Sequence, residues 1–170
     1  MLLAVMRALW WSVKPLITMD TDTKKTGECL SIIMPAYNEG EHVYENLQKV
    51  CSELQGYNFE IVIVDDGSTD NTAYEIQRII DDKTPVQLVR QSVNMGKGAA
   101  LVSGFKHSKG DPVVFLDADL EITPDYVLKF CHELERSGAD VVVGKKDSKT
   151  NRFPFARRIM SYIYRRLVAV

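Results

Sequence analysis

The chain has 170 residues, 45% hydrophobic and 26% charged, with a net charge of −2, which fits one globular domain with a sizeable core and excludes a disordered polypeptide. The charge is unevenly spread: between Lys145 and Arg166 eight bases face one acid, Asp147, which leaves 13 bases against 22 acids elsewhere out of totals of 21 and 23. That basic stretch calls for an anionic partner, whether lipid headgroup, phosphate or nucleic acid.

Residues 1–28 read as an N-terminal amphipathic segment followed by a polar linker. Met1 to Ile17 falls short of the ~20 apolar residues that a membrane-spanning helix requires, because Arg7, Lys14 and Pro15 interrupt it. At about 100° per residue Leu2, Met6, Leu9, Trp10, Val13 and Ile17 share one face. The pattern predicts an interfacial helix with Trp anchors, or equally a helix packed on the domain or on a partner chain. A signal peptide is the rival, but no small-x-small cleavage site follows.

From Cys29 the chain alternates. Cys29 to Met34 predicts a strand stopped by Pro35, and Pro35-Ala36-Tyr37-Asn38-Glu39-Gly40 a loop. Val43, Leu47, Val50 and Leu54 give a helix from Glu41 to Gly56. Phe59 to Val64 predicts a second buried strand, ending in Asp65-Asp66-Gly67-Ser68-Thr69-Asp70. Asp70 or Asn71 caps a helix that buries Ala73, Ile76, Ile79 and Ile80. Val86 to Arg90 is a third strand, and Asn94-Met95-Gly96-Lys97-Gly98 a glycine-rich turn into a helix over 99–107. Gly110-Asp111-Pro112 opens the apolar run Val113-Val114-Phe115-Leu116, which ends in Asp117-Ala118-Asp119. A helix with Pro124 in its first turn runs to Arg136, Gly138 stops it, and 140–143 is a fifth strand. Single helices between successive strands predict an α/β fold, Rossmann-like, with a mostly parallel sheet and helices on both faces.

In such sheets ligands collect at the carboxyl ends of the strands, and three of the five strand ends carry polar, acid-rich loops. Asp117 and Asp119 share a side if the strand persists through them. A lone Asp-x-Asp is more often a polar loop, but the concentration of acids at one sheet edge favours a shared site. Crowded carboxylates attract a hard cation such as Mg²⁺ or Mn²⁺. Asp117, Asp119 and Glu121 can hold one that bridges a diphosphate and neutralises charge on its departure. Asp66 and Glu39 can accept hydrogen bonds from a base or ribose, and Tyr37 can stack on the base or simply pack in its loop. The Asn94 to Gly98 turn lacks the Walker pattern; it is a plain strand-to-helix turn, or a contact to sugar or diphosphate to which Lys97 adds charge. Cys29, Cys51 and Cys131 are odd in number and far apart, so they read as reduced thiols, and His42, His107 and His132 form no cluster.

PAYNE, VDDGSTD, NMGKG and DADLE, in this order and each after or before its own strand or helix, resemble glycosyltransferase family 2 of the GT-A fold over about 29–158. Within that family the chain is most similar to the dolichyl- and polyprenyl-phosphate hexose synthases of the dolichol-phosphate mannosyltransferase type. The resemblance implies a catalytic domain over 29–170. It implies inverting, metal-dependent transfer of a hexose from a GDP-mannose- or UDP-glucose-type donor to a dolichyl or polyprenyl phosphate. Carried over by position, Pro35, Tyr37, Glu39, Val64 and Asp66 line the nucleotide site. Asp117, Ala118 and Asp119 hold diphosphate and metal, with Asp117 and Asp119 as catalytic residues and Mg²⁺ or Mn²⁺ as cofactor. Glu121 stands where mannosyl enzymes often have Gln, and as a carboxylate it can still ligate the metal.

Lys146 stands where those enzymes often have a phosphate-contacting Arg, without the bidentate fork of a guanidinium. Arg157, after Phe153-Pro154-Phe155, matches another phosphate-contacting position. A lipid monophosphate, with a second pKa near 6, is largely ionised at neutral pH and attacks without a general base. Its site instead needs cations, and Lys145, Lys146, Arg152, Arg157 and Arg158 are candidates. Residues 157–170 alternate bases with apolar residues, which suits a membrane surface or the solvated face of a terminal helix. The expected setting is cytoplasmic and peripheral to the membrane, with no nucleic-acid partner. Family members normally continue past the point where this chain stops, so the domain is expected to be C-terminally short. The alternatives are a saccharide or other alcohol as acceptor, which needs a general base, or a truncated, non-catalytic nucleotide-sugar-binding module.

Overall fold

Strands and helices alternate along the chain in a computed structural model that describes residues 4–6, 29–80 and 84–144. In order the elements are β1 (Ala4–Met6), β2 (Leu30–Ala36), α1 (Val43–Glu53), β3 (Phe59–Asp65), α2 (Thr72–Ile79), β4 (Val86–Arg90), α3 (Lys97–His107), β5 (Val113–Phe115), α4 (Asp125–Ser137) and β6 (Val141–Val143). Among the described residues they form one six-stranded sheet in the order β4-β3-β2-β5-β1-β6. The pairs β2·β3, β2·β5 and β3·β4 are parallel, as the helical crossovers require.

The period of two along the strands decides which helix covers which face. Ile32 and Met34 of β2 and Ile61 and Ile63 of β3 join Leu47, Val50, Ile76, Val127 and Leu134 from α1, α2 and α4 in one apolar cluster. The alternate residues Val62 and Val64 turn the other way, against Ala100 of α3. Gly104 lets α3 lie close there, since a Cβ on it would come within 2.3 Å of Ile33 Cγ2. Right-handed crossovers explain the division. The chain steps outward from β2 to β3 to β4 over α1 and α2, then reverses through α3 to reach β5 on the far side of β2. The reversal leaves a topological switch point between β2 and β5, where open α/β sheets bind ligands.

Three differences from the sequence reading bear on the site and its sheet. The first strand runs through Pro35 to Ala36 instead of stopping before the proline. Ala36 O accepts from Asp66 N on the β3 side, and Ile33 O accepts from Leu116 N on the β5 side. Residues two apart in a strand share a side, so the missing N–H of Pro35 faces β5, which has already left the ladder after Phe115. Second, the central strand ends at Phe115, so Asp117 and Asp119 lie on a turn and not on a strand. Leu120 N donates to Asp117 O at 3.1 Å, and Leu120 takes a left-handed φ of 49°.

Third, Ala4–Met6 is a strand where amphipathic periodicity predicts a helix. It pairs antiparallel with both β5 and β6, so the fifth predicted strand does not touch the central one directly. A three-residue apolar run cannot be assigned by periodicity alone, and unpaired backbone on both flanking strands decides it. Lys145, Lys146, Arg152, Arg157 and Arg158 lie outside the described residues, as does the rest of the 1–28 segment apart from β1. No helix among the described residues is long and apolar enough to cross a membrane.

Candidate functional site

At the carboxyl ends of β2, β3 and β5 lies a cleft of about 310 Å³, lined by Pro35, Ala36, Tyr37, Glu39, Asp66, Asn94, Gly96, Lys97, Asp117, Ala118 and Asp119. It opens at the switch point, where β5 turns away and leaves the end of β2 uncovered. The loops around it are tied to one another through side chains. Asn38, at φ 55°, accepts from Thr69 N at 2.9 Å through Oδ1, while its own N–H donates to Ser68 Oγ at 3.0 Å. Glu39 N donates to Thr72 Oγ1 at 2.8 Å and Gly40 N to Asp70 Oδ2 at 3.1 Å. The polar tail of VDDGSTD therefore knits its loop to PAYNEG, and Asp70 Oδ1 also accepts from Thr72 N, the first residue of α2, at 2.9 Å. Burial alone would raise the Asp70 carboxyl, but hydrogen bonds from Thr72 and Gly40 outweigh it and hold the group below its ordinary range.

The paired aspartates have different tasks. Asp65 is wholly buried and accepts from Ser68 N at 2.9 Å and Arg90 Nε at 3.2 Å. Asp66, 3% exposed, faces the cleft, and its two oxygens accept the N–H groups of Met95 at 2.8 Å and Gly96 at 2.9 Å. It thus fixes the Asn94 to Gly98 turn at the cleft wall. Gly67 makes this packing possible. Its φ is +70°, and a Cβ there would lie 2.4 Å from the Val93 carbonyl carbon.

Asp117 and Asp119 come to the cleft on the turn after β5. Asp119 Oδ1 accepts from Glu121 N at 3.0 Å, and Asp117 Oδ1 pairs with Lys97 Nζ at 2.5 Å. Between them, buried Ala118 is anchored from below: Asn46 Nδ2, on α1, donates to its carbonyl at 2.9 Å. Glu39 faces the same charges. Burial and then the negative charge of Asp119 push its carboxyl above the ordinary 4.5, with His42 opposing. Tyr37 is 45% exposed at the rim, a ring not covered by its own loop.

Of the residues assigned by resemblance, Pro35, Tyr37, Glu39, Asp66, Asp117, Ala118 and Asp119 converge on the cleft. Val64 does not. Its side chain is wholly buried under α3, the face that strand alternation gives it. Glu121 is exposed and outside the lining, and among the described residues no three His, Cys, Asp or Glu side chains converge as a metal cage. The donor set that remains, Asp117 and Asp119, fits a hard cation that keeps water and phosphate oxygens as its other ligands. An ammonium group already sits on one of the two carboxylates.

Asn94, Gly96 and Lys97 line the cleft, so of the two readings open for their turn the structure favours the one that puts it at the site. Asn46 supports the site without having been assigned to it from the sequence. Asn46 could have been suspected, because it occupies the buried face of α1 with Val43, Leu47 and Val50. A polar residue on such a face needs a buried partner. The three cysteines take no part. Burial raises the thiols of Cys29 and Cys51 and pushes Cys131 up to about 12, which keeps them protonated.

A mostly parallel sheet with a switch-point cleft and carboxylates after its central strand is the Rossmann-like arrangement of the GT-A fold. The glycosyl transferase family 2 model matches residues 31–168, and the chain belongs to that family. It is 36% identical over 135 residues to a dolichol-phosphate mannosyltransferase of Pyrococcus furiosus, covering 78% of this chain and 38% of that protein. It is 37% identical over 134 residues to an undecaprenyl-phosphate 4-deoxy-4-formamido-L-arabinose transferase of Pseudomonas fluorescens, covering 74% of this chain and 39% of that one. Among solved structures, a mannosyltransferase from Pyrobaculum calidifontis in complex with GDP-Man and Mn²⁺ aligns with a TM-score of 0.57 and 28% identity. That alignment covers 65% of this chain and 33% of the other. The chain spans about two fifths of the length of the curated relatives it matches.

Proposed function

We propose that the chain binds a nucleotide diphosphate sugar in the switch-point cleft and serves its transfer, with inversion, to a polyprenyl or dolichyl phosphate at a membrane surface. The observation that carries this reading is the convergence of Tyr37, Glu39, Asp66, Asp117 and Asp119 on one cleft, in a family 2 chain whose relatives include lipid-phosphate sugar transferases.

Each residue then has a chemical task. The exposed Tyr37 ring stacks on the base, and Glu39 accepts from base or ribose hydroxyls. Asp66 acts mainly through the turn it holds, since both its oxygens already accept backbone N–H groups. Asp117 and Asp119 hold Mg²⁺ or Mn²⁺, which when bound supplies positive charge to the leaving diphosphate. The Asn46 bond keeps both carboxylates at the cleft by fixing the peptide between them. A phosphate dianion as acceptor removes the need for a general base. The cations that would hold it are those of the 145–166 stretch, Lys146 and Arg157 first. An acceptor of this kind would hold the work at a membrane surface, and the basic stretch supports peripheral attachment to an anionic leaflet such as the cytoplasmic one.

The test is a thermal-shift panel of GDP-mannose and UDP-glucose with and without Mn²⁺, followed by a transfer assay with a short polyprenyl phosphate. Stabilisation by one donor, enhanced by the metal, is expected. No shift with any nucleotide diphosphate sugar overturns the reading. Binding without transfer to lipid phosphate leaves a donor-binding module.

A further inference from the structure

Lys97 is the one cation among the described residues of the cleft lining, which it shares with Glu39, Asp66, Asp117 and Asp119. Asp66 is committed to the Met95 and Gly96 N–H groups, so the charge left open to solvent lies on Glu39, Asp117 and Asp119. Those groups repel one another: the Asp119 charge is among the causes that raise Glu39. The Lys97 ammonium crosses from the first residue of α3 to Asp117 Oδ1, on the opposite wall. Its backbone is fixed, because Gly96 N–H is held by Asp66, but its side chain is 46% exposed and its stem is flexible.

We propose that Lys97 is an exchangeable counter-ion, which neutralises Asp117 in the ligand-free cleft and yields that carboxylate to a divalent cation. The inference rests on the metal-and-donor reading of the cleft and adds a role for a residue outside the carboxylate set. Both cations are drawn to the same carboxylate and repel each other, so a bound metal would loosen the ammonium's hold on Asp117. Loosened, the ammonium stays within one side-chain length of the carboxylates and becomes a ligand for the next anion to arrive there, the donor diphosphate. One residue thus weakens metal binding before the nucleotide enters and strengthens nucleotide binding afterwards.

Lys97→Met keeps the stem and removes the charge. Titrated with Mn²⁺ alone in a calorimeter, the variant is expected to bind about fivefold more tightly than wild type, the upper range for an exposed ion pair. At saturating Mn²⁺ it is expected to bind GDP or UDP more weakly by a similar factor. Lys97→Arg, which retains the positive charge, should bind Mn²⁺ like wild type. Equal or weaker Mn²⁺ binding by Lys97→Met, beside clear binding by wild type, overturns the counter-ion role and leaves the metal reading standing. Unweakened GDP or UDP binding overturns the diphosphate role. Failure of all three proteins to bind Mn²⁺, with or without nucleotide, overturns the metal reading and the inference with it.

Discussion

Replacing Asn46 with alanine removes the side chain that ties α1 to the aspartate turn. The Ala118 carbonyl is left buried, at 2% residue exposure, without the 2.9 Å bond from Asn46 Nδ2. An unsatisfied buried acceptor costs ~1–3 kcal/mol, and a middle value of about 2 is reasonable for one neutral bond. For a chain of this size each kcal/mol moves the melting temperature by about 2–4 °C, so Asn46→Ala should melt roughly 6 °C lower. Asn46→Leu fits the apolar face formed by Val43, Leu47 and Val50 and should recover about half of the loss through burial, while still lacking the donor. Asn46→Asp places a carboxylate against the carbonyl and should be the least stable of the three.

The site readout separates anchoring from general stability. In Asn46→Leu the additional stabilisation by GDP-mannose or UDP-glucose with Mn²⁺ should shrink even where the ligand-free melting loss is small, because Asp117 and Asp119 are no longer held by the peptide between them. If Asn46→Ala melts like wild type and its ligand-induced shift is unchanged, the turn is held by other contacts and the reasoning fails.

Four other outcomes are expected. Asp119→Ala should lose the Mn²⁺ enhancement of donor binding in a thermal-shift assay; enhancement equal to wild type would place the metal elsewhere. Gly67→Ala should destabilise by more than ~1–2 kcal/mol in urea unfolding, the cost of a left-handed residue with a Cβ, since the added methyl also meets the Val93 backbone. Glu39 has its folded pKa raised above 4.5 by burial and by Asp119, so its contribution is fully present below that value and is lost as pH rises through the raised one. Glu39→Gln should therefore be more stable than wild type at pH 7, with the gap closing in acid; a gap that is the same at all pH values would contradict the cause assigned. Charge reversal at Lys146 and Arg157 should cripple transfer to polyprenyl phosphate and spare transfer to a soluble acceptor, and equal losses on both would argue against a lipid-phosphate site.

Local pattern determined much of this protein. Strand and helix alternation gave the parallel sheet, because buried strands and amphipathic helices differ in the period of their apolar residues. The acid-rich loops after β2, β3 and β5 marked one sheet edge, because every parallel strand sends its carboxyl end the same way. Other features depended on contacts between residues distant in sequence. Asp65 and Asp66 are adjacent and chemically identical, and only the meeting of β3 with Arg90 and of the loop with Gly96 made one structural and the other part of the cleft. Val64 matched a site position by order along the chain, yet the pleat turned it under α3. Ala4–Met6 had a helical pattern and became a strand because β5 and β6 offered it unpaired backbone. Asn46 and Ala118 stand 72 residues apart, and no local pattern connects them. Periodicity is a property of neighbours in sequence, whereas a hydrogen bond between α1 and the turn after β5 exists only once the chain has folded.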